Sequence, residues 1–469
     1  MLSHWLTEAG LSTDDAAPAL EGDTRADICI IGGGFCGLWT AIRLKQRDPS
    51  IDIAIVEQGL CGSGASGRNG GFVLSWWAKF GSLCKICPSD EAVRLARASA
   101  DAVGEIGRFC ADNGIDAHYR GDGWLWAATS EPQVGSWDAL VDTLERYQQH
   151  PFELWEPETV KRRSGSDKHI AGVYEPTGAT VQPAMLAHGL RRTALSLGVR
   201  IYERTPMMSL HRGRPPRVVT PRGIVTAEKV VVAMNAWSTM FPELNRTIVV
   251  IASDIVATRP MPERLADSGY SGGMCISDSR TLVNYYRPTM DGRFVFGMGG
   301  GRLSFGNRVD DRFNGASPRS RVVEENFRRI YPNFKDAPIA TSWTGPVDRS
   351  LSGLPFFGRL DGRDDLLYGL GFSGNGVGPT SVGGRILASL ALGTKDEWSE
   401  CGLVREGVGL FPREPVRYVG GRMVIAANRR KERLEDEGRA PGALTVKLAG
   451  LAPAGLVPVK GVDAPAAKT

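Results

Sequence analysis

One segment near the start of the chain constrains its fold more than any other. Residues 27–31 are an apolar run, Gly32-Gly33-Gly34-Phe35-Cys36-Gly37 follows, and a second apolar run, residues 51–56, ends on Glu57. Short apolar runs on either side of a helical stretch read as strands of a βαβ unit, with the glycines in the G-x-G-x-x-G pattern between strand and helix. Gly32 permits the tight turn, Gly34 lets a diphosphate approach the backbone, and Gly37 lets the helix pack closely on the strand. The helix start then offers unsatisfied N–H groups and a partial positive charge to the phosphates. Glu57, about 20 positions beyond the last glycine, can accept hydrogen bonds from two ribose hydroxyls and would repel a 2′-phosphate, which disfavours NADP.

The remainder of the 469 residues has room for a second domain. A chain that is 42% hydrophobic and 23% charged has an ordinary soluble composition. Its net charge of +4 is too mild for a nucleic-acid partner, which would need a concentrated basic stripe. No apolar run reaches the roughly 18 residues of a membrane span. The opening MLSHWLTEAG has neither the basic nor the apolar region of a secretory signal. The cysteines are scattered. Cys84 and Cys87 form a C-x-x-C with no second pair at metal-site spacing, so the expectation is no metal and a reducing cytoplasm.

Alternating patterns along the chain suggest two discontinuous domains in an α/β protein, α+β overall. Residues 1–25 read as an N-terminal arm that Trp5 and Leu6 dock onto the body. Residues 26–88, 166–245 and 336–395 read as a Rossmann-like domain with a parallel sheet. Residues 89–165 and 246–335 read as a mostly antiparallel substrate domain. Helices are expected over 38–47, 90–113 (capped by Ser89), 184–197 and 422–437, and residues 396–469 as a partly disordered extension.

Four segments together resemble the FAD-dependent oxidoreductases of the D-amino-acid oxidase, glycine oxidase and sarcosine oxidase group. They are DICIIGGGFCGLWTAIRL with Glu57, the loop GSGASGRNGG, TGATVQPAMLAHGLRRTALSLGVRIYE with EKVVVAMNAW, and WTGPVDRSLSGLPFFGRL with LLYGLGFSGNGVGPTSVGGRILASLALG. The Arg-Asn-Gly-Gly loop and the Trp-x-Gly motif look like the γ-glutamylputrescine oxidase branch. The arm and the C-terminal extension resemble a branch of aminophosphonate oxidoreductases. The resemblance implies FAD bound extended across the nucleotide domain. Gly32, Gly34 and Gly37 would serve its diphosphate and Glu57 its adenosine ribose. Ser66, Arg68, Asn69 and Gly70 would wrap the flavin side. Gly374, Asn375, Gly376 and Val377 would touch the pyrimidine end, where a helix start stabilises the negative charge of the reduced ring.

The implied reaction is amine oxidation, in which a hydride leaves a neutral amine and the imine product hydrolyses to an aldehyde or ketone plus amine or ammonia. Such chemistry needs positioning and water exclusion rather than a strong base, so no histidine is nominated. The substrate-facing candidates are Tyr285, Tyr286 and Arg287, with Arg349 behind them. An arginine there can hold a carboxylate or phosphonate through paired hydrogen bonds.

Three departures from the group narrow the expectation. Gly345-Pro346-Val347 lacks the arginine that glycine oxidases place after this glycine, which disfavours simple α-amino acids. No lysine lies between Lys229 and Lys335, which puts oxygen as the electron acceptor in doubt against another carrier. No cysteine lies near Trp343 for covalent attachment, so FAD is expected to be non-covalent. The expected substrate is therefore an aminophosphonate or a γ-glutamyl amine. The alternatives are an NAD-linked soluble dehydrogenase and a flavin-containing RNA-modification protein.

Overall fold

The computed structural model describes residues 3–10, 15–270 and 272–459. The first sheet has a parallel centre in the order Leu366–Leu370, Gly223–Val232, Thr24–Ile31, Ile53–Val56 and Arg200–Tyr202. Phe356–Arg359 closes one edge antiparallel, and Ser209–His211 with Arg217–Thr220 forms an antiparallel ribbon on Gly223–Val232. Side-chain alternation divides the central strand between two cores. Ile28 and Ile30 pack with Trp39 and Leu387, whereas Cys29 and Ile31 pack with Val250 and Phe356. A strand covered on both faces must be apolar throughout, which is why residues 53–56 read as an unbroken hydrophobic run.

Two helices start from the same edge of this sheet. Phe35–Arg47 follows the strand Thr24–Ile31, and Pro379–Leu392 follows Leu366–Leu370. In a parallel sheet both starts lie at the carboxyl ends of the strands, where ligands bind. The helices are in close contact. A Cβ on Gly384 would lie 2.8 Å from the Trp39 backbone, so only glycine fits the crossing.

The second sheet runs Ile339–Ser350, Ile248–Thr258, Phe294–Met298, Asn284–Pro288, Cys275–Asp278, Trp124–Ala128, Ala171–Glu175 and Glu153–Trp155. Its neighbours are antiparallel except Cys275–Asp278 beside Trp124–Ala128. Two of its strands, Ala171–Glu175 and Ile339–Ser350, fall inside the sequence boundaries 166–245 and 336–395 drawn for the nucleotide domain. The mixed composition of Ile339–Ser350, IATSWTGPVDRS, does not reveal its sheet. Its long pairing with Ile248–Thr258 does.

Other differences are local. The helix Ser89–Asp112 has Pro88 at its N-cap, and Ser89 is its first residue, its hydroxyl accepting a hydrogen bond from Tyr147. The C-terminal extension is largely structured up to residue 459, with helices Val416–Asp436 and Ala443–Ala449. Val457 and Val459 are buried beyond them, Val457 within the main apolar core of the body. The part of the expected disorder that falls on residues 460–469 lies outside the described residues. No helix among the described residues is long and apolar enough to cross a membrane.

A buried ion pair joins several of these parts. Arg191 donates from Nε and Nη2 to the two Glu203 oxygens at 3.0 and 2.9 Å. Glu203 also accepts from the amides of Ala17 at 2.6 Å and Cys61 at 2.7 Å. One carboxylate thus ties the arm, the loop after Glu57 and the helix Pro183–Ser196 together. Arg191→Met leaves that carboxylate buried without its cation, which costs about 3–5 kcal/mol. Urea unfolding monitored by circular dichroism should show a matching loss, larger than for the double replacement Arg191→Met/Glu203→Gln.

Candidate functional site

The nucleotide cradle is built from backbone that cannot carry side chains. Gly32 has φ +112°, and a Cβ there would lie 2.5 Å from the Ala233 carbonyl oxygen. A Cβ on Gly37 would collide with the Gly32 carbonyl, which accounts for the third glycine of the motif. Gly34 is the N-cap of the helix and supplies no side-chain cap, while Ser66 Oγ accepts from the Phe35 amide at 2.9 Å. Glu57 is fixed by two amides, from Gly33 at 2.8 Å and Gly59 at 2.7 Å. Burial raises its pKa and those amides pull it back.

Gly32, Gly34, Glu57 and Ser66 line a trough of about 1470 Å³. That exceeds the roughly 300–1,000 Å³ of an ordinary small-ligand site and suits a dinucleotide. A second cavity of about 170 Å³ is lined by Ser66, Arg68, Asn69, Gly70 and by Gly374, Asn375, Gly376 and Val377. Phe35, Ser66, Asn235 and Phe372 belong to both walls, so the two spaces are continuous. The two glycine-bearing helix starts therefore converge on one space. Gly37 sits behind the turn and lines neither cavity. Two buried acceptors, Asn235 Oδ1 and Asn375 Oδ1, have no protein partner and belong to residues of the flavin-end wall. Unmet buried acceptors mark places for a ligand's N–H or O–H groups, so the residues present fit the FAD that the resemblance implies.

The flavin-side loop is held from behind, carbonyl by carbonyl. Ser3 Oγ donates to Gly67 O at 2.6 Å, and Trp343 Nε1 to Arg68 O at 2.8 Å. Trp5 Nε1 donates to Asn69 O and Arg287 Nε to Gly70 O, both at 2.8 Å. Trp5 meets Trp343 edge-on at 5.7 Å, and the Arg287 guanidinium lies 5.0 Å from the Trp5 ring. The arm is thus part of the site, through the short helix His4–Glu8.

This geometry redirects two of the substrate candidates. Arg287 is buried and gives its Nη2 to Val181 O at 2.6 Å, so it braces the loop and does not line the cavity. It lies on the same face of its strand as Tyr285 but two residues further along, beneath Gly70 and Gly71. Tyr286 faces the opposite side, 2.5 Å from His169 Nε2 and stacked on Phe296. Burial drives that histidine down to about 3, so it is neutral. Tyr285 and Arg349 do line the flavin-end cavity. The Tyr285 hydroxyl bonds Ser253 Oγ at 2.8 Å, and its ring covers Gly70. Arg349 donates to the Ala454 carbonyl from Nη2 at 3.2 Å.

Two further residues bear on the site. Asp348, one step along the strand from Arg349, turns the other way. Its carboxylate accepts from the amides of Gly371 at 2.5 Å and of Phe372 and Ser373 at 3.3 Å. It thereby positions the turn that leads into Gly374, and burial pushes it up to about 6. Lys79 is buried and donates to the Gly353 carbonyl. Burial and the nearby Arg349 lower it to about 7. Its signal in the sequence was a lone lysine inside the apolar run WWAKF. One metal-like grouping exists among the described residues, with ligand atoms of His4, Glu8 and Asp291 within 4.8 Å of one another. Gln182 already donates to Glu8 at 3.0 Å and Arg293 to Asp291 at 2.6 Å.

Residues 27–390 match the family of FAD-dependent oxidoreductases. The chain is 29% identical over 403 residues to the γ-glutamylputrescine oxidoreductase of Escherichia coli strain K12, covering 85% of this chain and 91% of that one. It is 25% identical over 393 residues to the glycine oxidase of Bacillus licheniformis, covering 80% and 96%. The crystal structure of glycine oxidase from Geobacillus kaustophilus superposes with a TM-score of 0.66 at 20% identity, covering 82% of this chain and all of that one. These matches give no support to an NAD-linked dehydrogenase or an RNA-modification protein.

Trp5→Phe keeps the ring but leaves Asn69 O without its donor, at a cost of about 1–3 kcal/mol to the loop. The expected result is roughly tenfold weaker FAD binding with an unchanged far-ultraviolet spectrum, read by flavin fluorescence titration. Lys79 gives a pH test. Its ammonium has a pKa of about 7 when folded against 10.5 unfolded. The folded state therefore binds fewer protons between those values, and stability rises with pH across that window. Lys79→Met should remove this rise in denaturation curves measured from pH 7 to 10.

Proposed function

Because the chain belongs to the FAD-dependent oxidoreductase family and is an FAD-dependent amine oxidoreductase, we propose that its substrate is an amine with an anionic group some distance from the reacting carbon. An aminophosphonate or a γ-glutamyl amine fits that description. The observation that carries the reading is the continuous space into which both glycine-bearing helix starts open, with Tyr285 and Arg349 on the wall of its flavin end.

When bound, FAD supplies the acceptor for the hydride that leaves the carbon next to the amine nitrogen. Each other task falls to this chain. The Gly32–Gly34 turn and the start of the helix Phe35–Arg47 receive the diphosphate, and Glu57 receives the adenosine ribose. The loop of Arg68, Asn69 and Gly70 and the turn of Gly374 to Val377 bound the flavin end. Phe35, Phe72, Leu74 and Val347 form an apolar wall that excludes water and favours the neutral, reactive form of the amine. Tyr285 bounds the pocket, and Arg349 offers a guanidinium to the substrate's anion. No residue is required as a nucleophile.

The Gly345-Pro346-Val347 stretch supports a distant anion over an α-carboxylate, since no guanidinium follows Gly345. FAD is read as non-covalent, and the acceptor as oxygen or another carrier. All eight cysteines are unpaired, which supports a cytoplasmic setting.

Anaerobic mixing tests the reading directly. The yellow holoenzyme should bleach with 2-aminoethylphosphonate or γ-glutamylputrescine and not with glycine. Bleaching by glycine alone, or by none of a panel of amines, would overturn the proposal. Admitting air then reports the acceptor, because colour returns within seconds only if oxygen serves.

A further inference from the structure

The C-terminal extension forms part of the trough wall. Its long helix, Val416–Asp436, presents Tyr418, Arg422, Ile425, Ala426 and Arg429 to the nucleotide trough. Steps of four, three, one and three residues make one stripe of an α-helix. The helix is seated firmly. The Phe305 ring meets Tyr418 edge-on at 5.4 Å, and a Cβ on Gly421 would lie 2.6 Å from Leu303. Glu432, itself buried, accepts from the Leu282 amide at 2.9 Å. Arg429 donates to Gly300 O at 2.9 Å, and Gly300 lines the flavin-end cavity. The stripe therefore leads from solvent toward the cavity that holds Tyr285 and Arg349.

Its charge is one-sided. Arg302 and Arg308, on the facing 301–313 segment, join Arg422 and Arg429 on this wall, and all four are exposed. The acids that line the same trough are committed elsewhere. Glu57 is held by the Gly33 and Gly59 amides at the adenosine end, and Asp310 pairs with Arg312. Several guanidinium groups sharing one opening repel one another, and a concave mouth of one sign concentrates ligands of the other.

We propose that this arginine-lined mouth is a selectivity vestibule for anionic amines, drawing in a carboxylate or phosphonate and leaving the amine end to lead toward Tyr285 and the flavin end. The proposal deepens the amine-oxidation reading and rests on it for the identity of the reacting group. The cofactor's diphosphate is a competing use of the same arginines. The diphosphate already has the Gly32–Gly34 turn and a helix start of its own, so the vestibule predicts no effect on cofactor affinity.

The test uses the full-length holoenzyme carrying Arg422→Glu and Arg429→Glu together. Arg430→Glu, exposed on the same helix but outside the trough wall, controls for net charge. Two probes are read. The first is anaerobic bleaching by 2-aminoethylphosphonate, separated into affinity and limiting rate at several ionic strengths. The second is perturbation of the flavin spectrum by ethylphosphonate, which cannot be oxidised. The expected result for the double variant is about tenfold weaker binding of both probes, with a flattened salt dependence, and the loss falling on affinity and not on limiting rate. Arg430→Glu should bind both as the parent does. Unchanged affinity for both probes would overturn the proposal, and so would a parallel loss of FAD affinity. If no amine bleaches the parent but ethylphosphonate binding still falls in the double variant, the vestibule stands and the oxidation reading fails. Should the double variant not fold, Arg302→Glu, from the facing segment, carries the same expectation.

Discussion

Four successive carbonyls, from Gly67 to Gly70, each accept a hydrogen bond from a side chain of one of three distant segments: Ser3, Trp343, Trp5 and Arg287. A loop rich in glycine has few side chains with which to fix itself, here Arg68 and Asn69 bonding back to its own backbone, and loses much conformational entropy on ordering. The rest of its shape is imposed from outside. The N-terminal arm, the strand Asn284–Pro288 and the strand Ile339–Ser350 all depend on that loop for partners, as the loop depends on them. Fixing backbone in advance is how a protein of this kind contributes to catalysis, because the cofactor carries the reactive chemistry.

The same logic governs the other side of the cofactor space. Asp348 accepts from three consecutive amides and so shapes the turn before Gly374. Arg349, its neighbour in the strand, faces the cavity instead. A strand's two-residue period places a structural carboxylate and a ligand-facing guanidinium side by side in sequence and on opposite sides in space. Gly345 and Val347 share the cavity side with Arg349, which keeps that stretch of the strand apolar up to its guanidinium.

What could be read from the residues alone followed physical scale. The βαβ unit was legible because Gly32, Gly34, Gly37 and Glu57 interact within one local motif. The convergence of that motif with the Gly374 turn was legible through family resemblance, and its physical basis, the tight crossing at Gly384 and Trp39, is a tertiary contact that no local pattern reveals. Arg287 shows the limit most clearly. Its residue type and its neighbourhood suited an anion, but whether a guanidinium meets a substrate or backbone carbonyls depends on what lies over it. Sheet membership of Ala171–Glu175 and Ile339–Ser350 failed to show for a related reason, since a strand's composition reports burial and not the identity of its neighbours. The seating of Val457 and Val459 was obscured by the Ala, Pro and Gly around them.

The four partners of the loop lie at positions 3, 5, 287 and 343. Contacts so distant in sequence close late, after the intervening chain has found its place. A ribosome that has emitted the whole nucleotide motif and its acidic residue has still not made the residues that give the flavin loop its form. Cofactor capture in this protein thus belongs to the end of biosynthesis, and a nascent chain released before Trp343 carries the signature of a flavoprotein without the means to keep a flavin.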